Sequence, residues 1–213
     1  MAAPRDAETV ILVHGLWFRG WVMQVLGWRL RRCGFRVLRF SYPTVTRDLY
    51  QNAERLHRYV GAQRLAQAHF VGYSLGGLVI RALFAHHPQQ PPGRIVTFGT
   101  PHLGCYAAHG LSRARVLRWL LGRGIADLLA QLPHRWTLPA REIGVIAGNV
   151  SIGGGRIVAG LPRPNDGTVT VAETRLPGAH AHTVLAVSHT SMLFASSVAQ
   201  HICRFLRSGR FDR

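Results

Sequence analysis

The feature that most constrains this chain is an alternation. Short, nearly continuous runs of Val, Ile, Leu and Phe are separated by longer stretches with helical spacing. The runs are TVILVHG (9–15), FRVLRFSY (35–42), HFVGY (69–73), RIVTFGT (94–100), REIGVIAGN (141–149) and HTVLAVS (182–188). A strand apolar on both faces must be covered on both faces, and parallel strands need crossover connections, which the intervening segments supply. Helices are expected near 21–33, 48–66, 76–86, 111–131 and 191–207. The pattern predicts an α/β chain with a mostly parallel sheet and helices on both faces. In such sheets ligands bind beyond the carboxyl ends of the strands. His14, Ser74 and His189 each follow one of these runs.

Ser74 lies in VGYSLGG, between Gly72 and Gly76. The Gly-x-Ser-x-Gly spacing between an apolar run and a helical one is that of a sharp strand-to-helix turn that lifts a nucleophile. Glycines are needed where the flanking backbones approach too closely for a β-carbon, and Ser74 is expected at positive φ. A serine hydroxyl requires a base, and the base an orienting carboxylate. The acids after Ser74 are Asp127, Glu142, Asp166, Glu173 and Asp212. Asp166, in the turn PRPNDGTVTV, is the first choice and Glu173 the reserve. His189, in AVSHTSML, is the expected base. The oxyanion needs two fixed donors: the N–H of Leu75 and, from the loop VHGLWFRG, that of Leu16, with Trp17 second. His14 is expected to orient that loop. Trp17, Phe18 and Trp21 either line an acyl pocket or form a structural aromatic cluster.

LVHGLW (12–17), GYSLGG (72–77), TFGTPHLG (97–104), NDGTVTV (165–171) and SHTSML (188–193) together resemble the α/β-hydrolase superfamily, and within it small bacterial lipases and esterases, with some likeness to inositol-deacylase-type lipases. The resemblance implies an α/β-hydrolase fold and ester cleavage through Ser74, Asp166 and His189, with Leu16 and Leu75 as oxyanion donors. It implies no cofactor or metal, and it makes Thr100, Pro101 and His102 part of the pocket wall. It leaves hydrolysis, acyl transfer and thioester cleavage open, as well as a non-catalytic protein that keeps the fold to bind membrane or nucleic acid.

The 213 residues fit one domain, 1–213, with little room for a cap beyond a small lid or wall excursion over 101–140. Within that excursion LSRARVLRWLLGRG reads either as a crossover helix or as a basic amphipathic helix for an anionic lipid surface. The glycine-rich stretch 152–162 lacks the ending of a phosphate-binding loop. All 26 basic residues are arginine, against 9 acids, for a net charge of +17. That field favours anionic partners. The arginines are scattered and no nucleic-acid-binding motif accompanies them, so specific nucleic-acid recognition is not expected and peripheral contact with an anionic membrane stays open. Cys33, Cys105 and Cys203 give neither a disulfide framework nor metal-ligand spacing. With no secretory leader or membrane span read in the sequence, the expected setting is cytoplasmic.

Overall fold

A computed structural model of the chain describes residues 8–104, 106, 123, 126, 136–152 and 161–212. The expected helix over 111–131, most of the 101–140 excursion and residues 153–160 of the glycine-rich stretch lie outside that part.

Six strands form one sheet: β1 (Thr9–Val13), β2 (Arg36–Phe40), β3 (Ala68–Tyr73), β4 (Ile95–Phe98), β5 (Ile143–Gly148) and β6 (Ala181–Leu185). Their order is β2-β1-β3-β4-β5-β6 and every pairing is parallel. Each falls within or one residue outside an expected run. The helices are α1 (Gln24–Arg32), entered through a 3-10 turn at Gly20–Met23, α2 (Leu49–Ala62), α3 (Leu75–His86), the short α4 (Val171–Thr174) and α5 (Ser196–Ser208).

The pleat sorts β1 between two cores. Ile11 and Val13 pack with Leu49, Ala53 and Leu56 of α2 and Leu78 and Val79 of α3. Val10 and Leu12 pack with Leu26 and Leu30 of α1 and Val198, Ile202 and Phe205 of α5. Side chains that alternate across a strand thus bury both faces of one sheet. The layered arrangement and the doubly covered parallel sheet are those expected.

Two local differences have identifiable causes. The segment expected as one helix over 191–207 is broken, because Ser188 and Ser191 form reciprocal bonds. The Ser188 N–H donates to Ser191 Oγ at 2.8 Å and the Ser191 N–H to Ser188 Oγ at 3.3 Å. They close a 3-10 turn, Ser191–Leu193, before Ala195 extends and α5 starts afresh. Such side-chain bonds compete with helix. The unexpected α4 exists through a capping box, Thr170 bonding the Glu173 N–H and Glu173 the Thr170 N–H.

The cysteine expectation is corrected. Cys33, at the end of α1, and Cys203, within α5, are joined by a disulfide although 170 residues apart. The two helices lie side by side on one sheet face, which sequence spacing alone does not reveal. No described helix is long and apolar enough to cross a membrane.

Candidate active site

β3 delivers Ser74 to the carboxyl edge of the sheet, where its N–H donates to Phe98 O of β4 at 2.9 Å. Ser74 has φ 52° and ψ −121°, a strained backbone for a residue with a side chain. The turn is held by exclusion. A β-carbon on Gly76 would lie 2.2 Å from Val13 O, and one on Gly72 would lie 2.7 Å from the Gly77 backbone. The Thr100 hydroxyl donates to Ser74 O at 3.0 Å, against Gly77.

The loop after β5 brings Asp166, fully buried, to the same edge. Its Oδ1 accepts from the N–H groups of Thr168 at 2.9 Å and Val169 at 2.7 Å. Its Oδ2 faces His189 Nδ1 at 2.7 Å. The loop after β6 carries His189, whose N–H donates to Asp166 O at 2.8 Å. Backbone and side chain thus fix the imidazole against one residue. Its Nε2 lies 3.1 Å from Ser74 Oγ. With the proton on Nδ1 donated to the carboxylate, Nε2 is left to accept from the serine hydroxyl. The arrangement can therefore remove a proton from Ser74 as the oxygen attacks an electrophile.

The loop after β1 passes against the serine, since a β-carbon on Gly15 would stand 3.1 Å from Ser74 Cβ. His14 supports it from beneath. Its Nδ1 donates to Gly15 O at 2.9 Å, its Nε2 accepts from the Tyr42 N–H at 3.3 Å, and its ring stacks on Tyr42 at 4.5 Å. Burial lowers its pKa, which favours the neutral ring this bonding requires. The Trp17 N–H is taken by Thr44 Oγ1 at 3.1 Å, which leaves Leu16 as the donor candidate on this loop. Leu75 is the first residue of α3, where an N–H has no intrahelical partner.

The remaining expected residues separate. Phe18 is half-buried, 6.3 Å from the Tyr73 ring, whereas Trp17 and Trp21 stand in solvent. Thr100 props the serine turn from inside, and Pro101 is buried next to it. His102 is buried deeper, its Nε2 2.9 Å from Thr97 Oγ1, and burial followed by the Arg81 charge drives its pKa well down. Glu173 lies in the α4 capping box and bonds the Tyr106 N–H, so it does not meet His189. Among the described residues no group of three or more His, Cys, Asp or Glu is placed to hold a metal ion.

Two contributors were missed from sequence. The Tyr73 hydroxyl donates to His189 O at 3.0 Å and its ring lies 5.1 Å from the imidazole. Burial, and then the Asp166 charge, push its pKa up, so the phenol stays protonated as a donor. Gly99, at φ 59°, leaves room for His189, whose ring would be 3.1 Å from a β-carbon there. Tyr73 beside Ser74 and the FGT at the end of β4 were the available signals.

The model of a family described as alpha/beta hydrolase matches residues 10–207. Solved structures with the same fold include the mature form of lipase BlEst2 from Bacillus licheniformis, at 20% identity and a TM-score of 0.75, covering 98% of this chain and 94% of that one. A metagenomic carboxyl esterase aligns at 17% identity and a TM-score of 0.66, over 89% of this chain and 66% of that one. A monoacylglycerol lipase from Paleococcus ferrophilus aligns at 14% identity and 0.65, over 95% of each chain. No curated protein matches the sequence.

Proposed function

Since the chain belongs to the alpha/beta hydrolase family, we propose that it is a serine hydrolase of carboxylic esters, a single domain over 1–213 that uses Ser74, His189 and Asp166. The observation that carries this reading is the unbroken line from Ser74 Oγ through both ring nitrogens of His189 to Asp166 Oδ2, at 3.1 and 2.7 Å. The structures it resembles include a lipase and a carboxyl esterase, which agrees in kind.

Ser74 Oγ attacks the acyl carbonyl while His189 Nε2 takes its proton, and Asp166 stabilises the imidazolium through Nδ1–H. The developing oxyanion is received by the N–H groups of Leu75 and Leu16, with the positive end of α3 behind the first. His189 then protonates the leaving alcohol, and water attacks the acyl-enzyme by the same path. None of these steps requires a cofactor. An apolar acyl chain suits the half-buried Phe18, whose ring packs over that of Tyr73.

The Cys33–Cys203 bond bears on the setting. Such bonds persist in oxidising compartments and are rare in the cytosol. The reading therefore places the enzyme outside the cytoplasm rather than within it.

The test is hydrolysis of a chain-length series of p-nitrophenyl esters by wild type and Ser74→Ala, together with serine-directed phosphonate labelling. Activity and label that both vanish in the variant support the reading. Wild-type activity retained by Ser74→Ala would falsify it.

A further inference from the structure

Charge and aromatic side chains are distributed unevenly over the two faces of the sheet. From Thr9 to Arg47 the chain contains no Asp or Glu and seven arginines, of which Arg29, Arg31 and Arg32 lie in α1 while Arg36 acts on Tyr59 of α2 and Arg47 precedes α2; from Thr174 to Phe211 there is again no acid. These stretches include α1 and α5, which pack side by side and are tied by Cys33–Cys203. The acids at the margin lie toward the far end: Glu142 is beside Gly209 and engaged by Arg94 at 2.5 Å, and Asp212 follows α5.

This face and the loop leading into it carry large apolar groups in water. Trp17, Trp21, Trp28 and Phe194 are 61%, 67%, 52% and 48% exposed. The 3-10 turn bearing Trp21 is held against the end of β2 by the Gly20 N–H on Ser41 Oγ, at 3.3 Å. Trp28 follows within α1, immediately before Arg29. Phe194 is reached from α1 by a bond from the Arg29 guanidinium to its carbonyl. Arginines stand among them: the Arg32 guanidinium is 4.9 Å from the centre of the Trp28 ring, and Arg39 lies beside Gly20.

Exposed tryptophans bordered by guanidinium groups match a lipid-water boundary, where the ring lies at headgroup level and the cation meets phosphate. We propose that this rim, formed by the 16–21 loop, α1 and the Phe194 turn, seats the protein on an anionic phospholipid surface. Trp17 immediately follows Leu16, so seating would turn the mouth above Ser74 toward the bilayer and present it with acyl esters held there. That last consequence rests on the ester-hydrolase reading, whereas the docking does not. A nucleic acid would be drawn by the same charge. Exposed aromatic groups with arginines among them favour the lipid.

The experiment is flotation of the full chain with phosphatidylcholine vesicles with and without phosphatidylglycerol, at low and high salt, with a DNA duplex as competitor. Wild type should bind the anionic vesicles and be released by salt. Arg32→Gln and Arg39→Gln should each weaken binding about fivefold, and Trp21→Ser with Trp28→Ser at least about tenfold. All four positions lie outside the catalytic residues, so hydrolysis of a soluble ester and the thermal midpoint should stay at the wild-type level. Ser74→Ala should bind vesicles as wild type does, which separates failure of the docking from failure of the chemistry. Equal binding to uncharged vesicles, tryptophan variants that bind like wild type, or displacement by DNA at matched phosphate would each overturn the proposal.

Discussion

The serine half of the site and the acid-base half are built on different physics. Around Ser74 the structure is shaped by missing atoms: Gly72, Gly76 and Gly77 leave no space for a β-carbon and Gly15 leaves little, and a tight, strained turn results. Around Asp166 and His189 it is shaped by hydrogen bonds added one at a time, from Thr168, Val169, Tyr73 and the two residues to each other. A steric device tolerates no intrusion and fails as a fold. A hydrogen-bonded one can keep its shape while losing its chemistry.

The largest expected effect is on the second half. Asp166→Asn keeps the size of the group and its ability to accept from Val169, but replaces the charge that faces His189 Nδ1. A loss in kcat of about 10⁴-fold is expected, with the thermal midpoint little moved. Glu173→Gln, confined to a capping box, should retain most activity. Should the two variants exchange outcomes, the acid would be Glu173 and the observed pairing of Asp166 incidental.

Gly76→Ala tests the first half. Its methyl would press on Val13 O and His14 O, both backbone atoms of β1 and its loop. A stability loss of more than about 3 kcal/mol is expected, read from thermal or urea unfolding. Gly61→Ala is the control: it lies in α2 with no atom within 4 Å of the added carbon. There alanine should stabilise by about 0.5 to 1 kcal/mol. A Gly76→Ala protein that unfolds like wild type would mean the turn is not sterically determined.

The same contrast explains what could be read from the sequence. The serine turn is local: five residues between a strand run and a helix run contain both the proposed nucleophile and the glycines that position it. Asp166 was legible through its turn, and His189 through the strand before it and the helix after it, because chain order narrows those choices. Tyr73 was not assigned, since its role depends on a carbonyl 116 residues away. The Cys33–Cys203 bond escaped for the same reason, its partners being brought together by packing on a sheet face. The exposed Trp17 and Trp21 show the converse limit. An aromatic run beside a site marks neither a pocket nor a core until the direction of each side chain is known.

Reduction asks how far the acid-base half depends on its surroundings. The disulfide ties α1 to α5, and α5 follows directly from the His189 loop. Its loss should lower stability by about 2 to 4 kcal/mol. Measured by thermal unfolding with and without dithiothreitol, wild type should respond and Cys33→Ala should not. Acid loads the buried histidines instead. His14, His69 and His102 are buried, with pKa values held below the usual 6.5, so the unfolded chain binds more protons under mildly acidic conditions. Their stabilisation is complete above pH 6.5 and declines as pH falls toward the folded-state values. The slope approaches about 1.4 kcal/mol per pH unit for each histidine. Urea midpoints measured across that range check the sign.

Tyr73→Phe gives the smallest expected effect and the finest test, because Tyr73 touches both halves. It ends the strand that presents Ser74, and its hydroxyl holds the carbonyl of His189. The phenylalanine ring preserves the packing against Phe98 and His189 and deletes one hydrogen bond, a change of about 1 kcal/mol. If the halves are separable, the carbonyl loses one restraint while Asp166 still fixes the imidazole through its Nδ1 and backbone bonds. Then kcat should fall by less than about tenfold with KM unchanged. A loss approaching that of Asp166→Asn would mean that the imidazole is aligned from the β3 side as much as from the acid, and that the steric and hydrogen-bonded halves act as one unit.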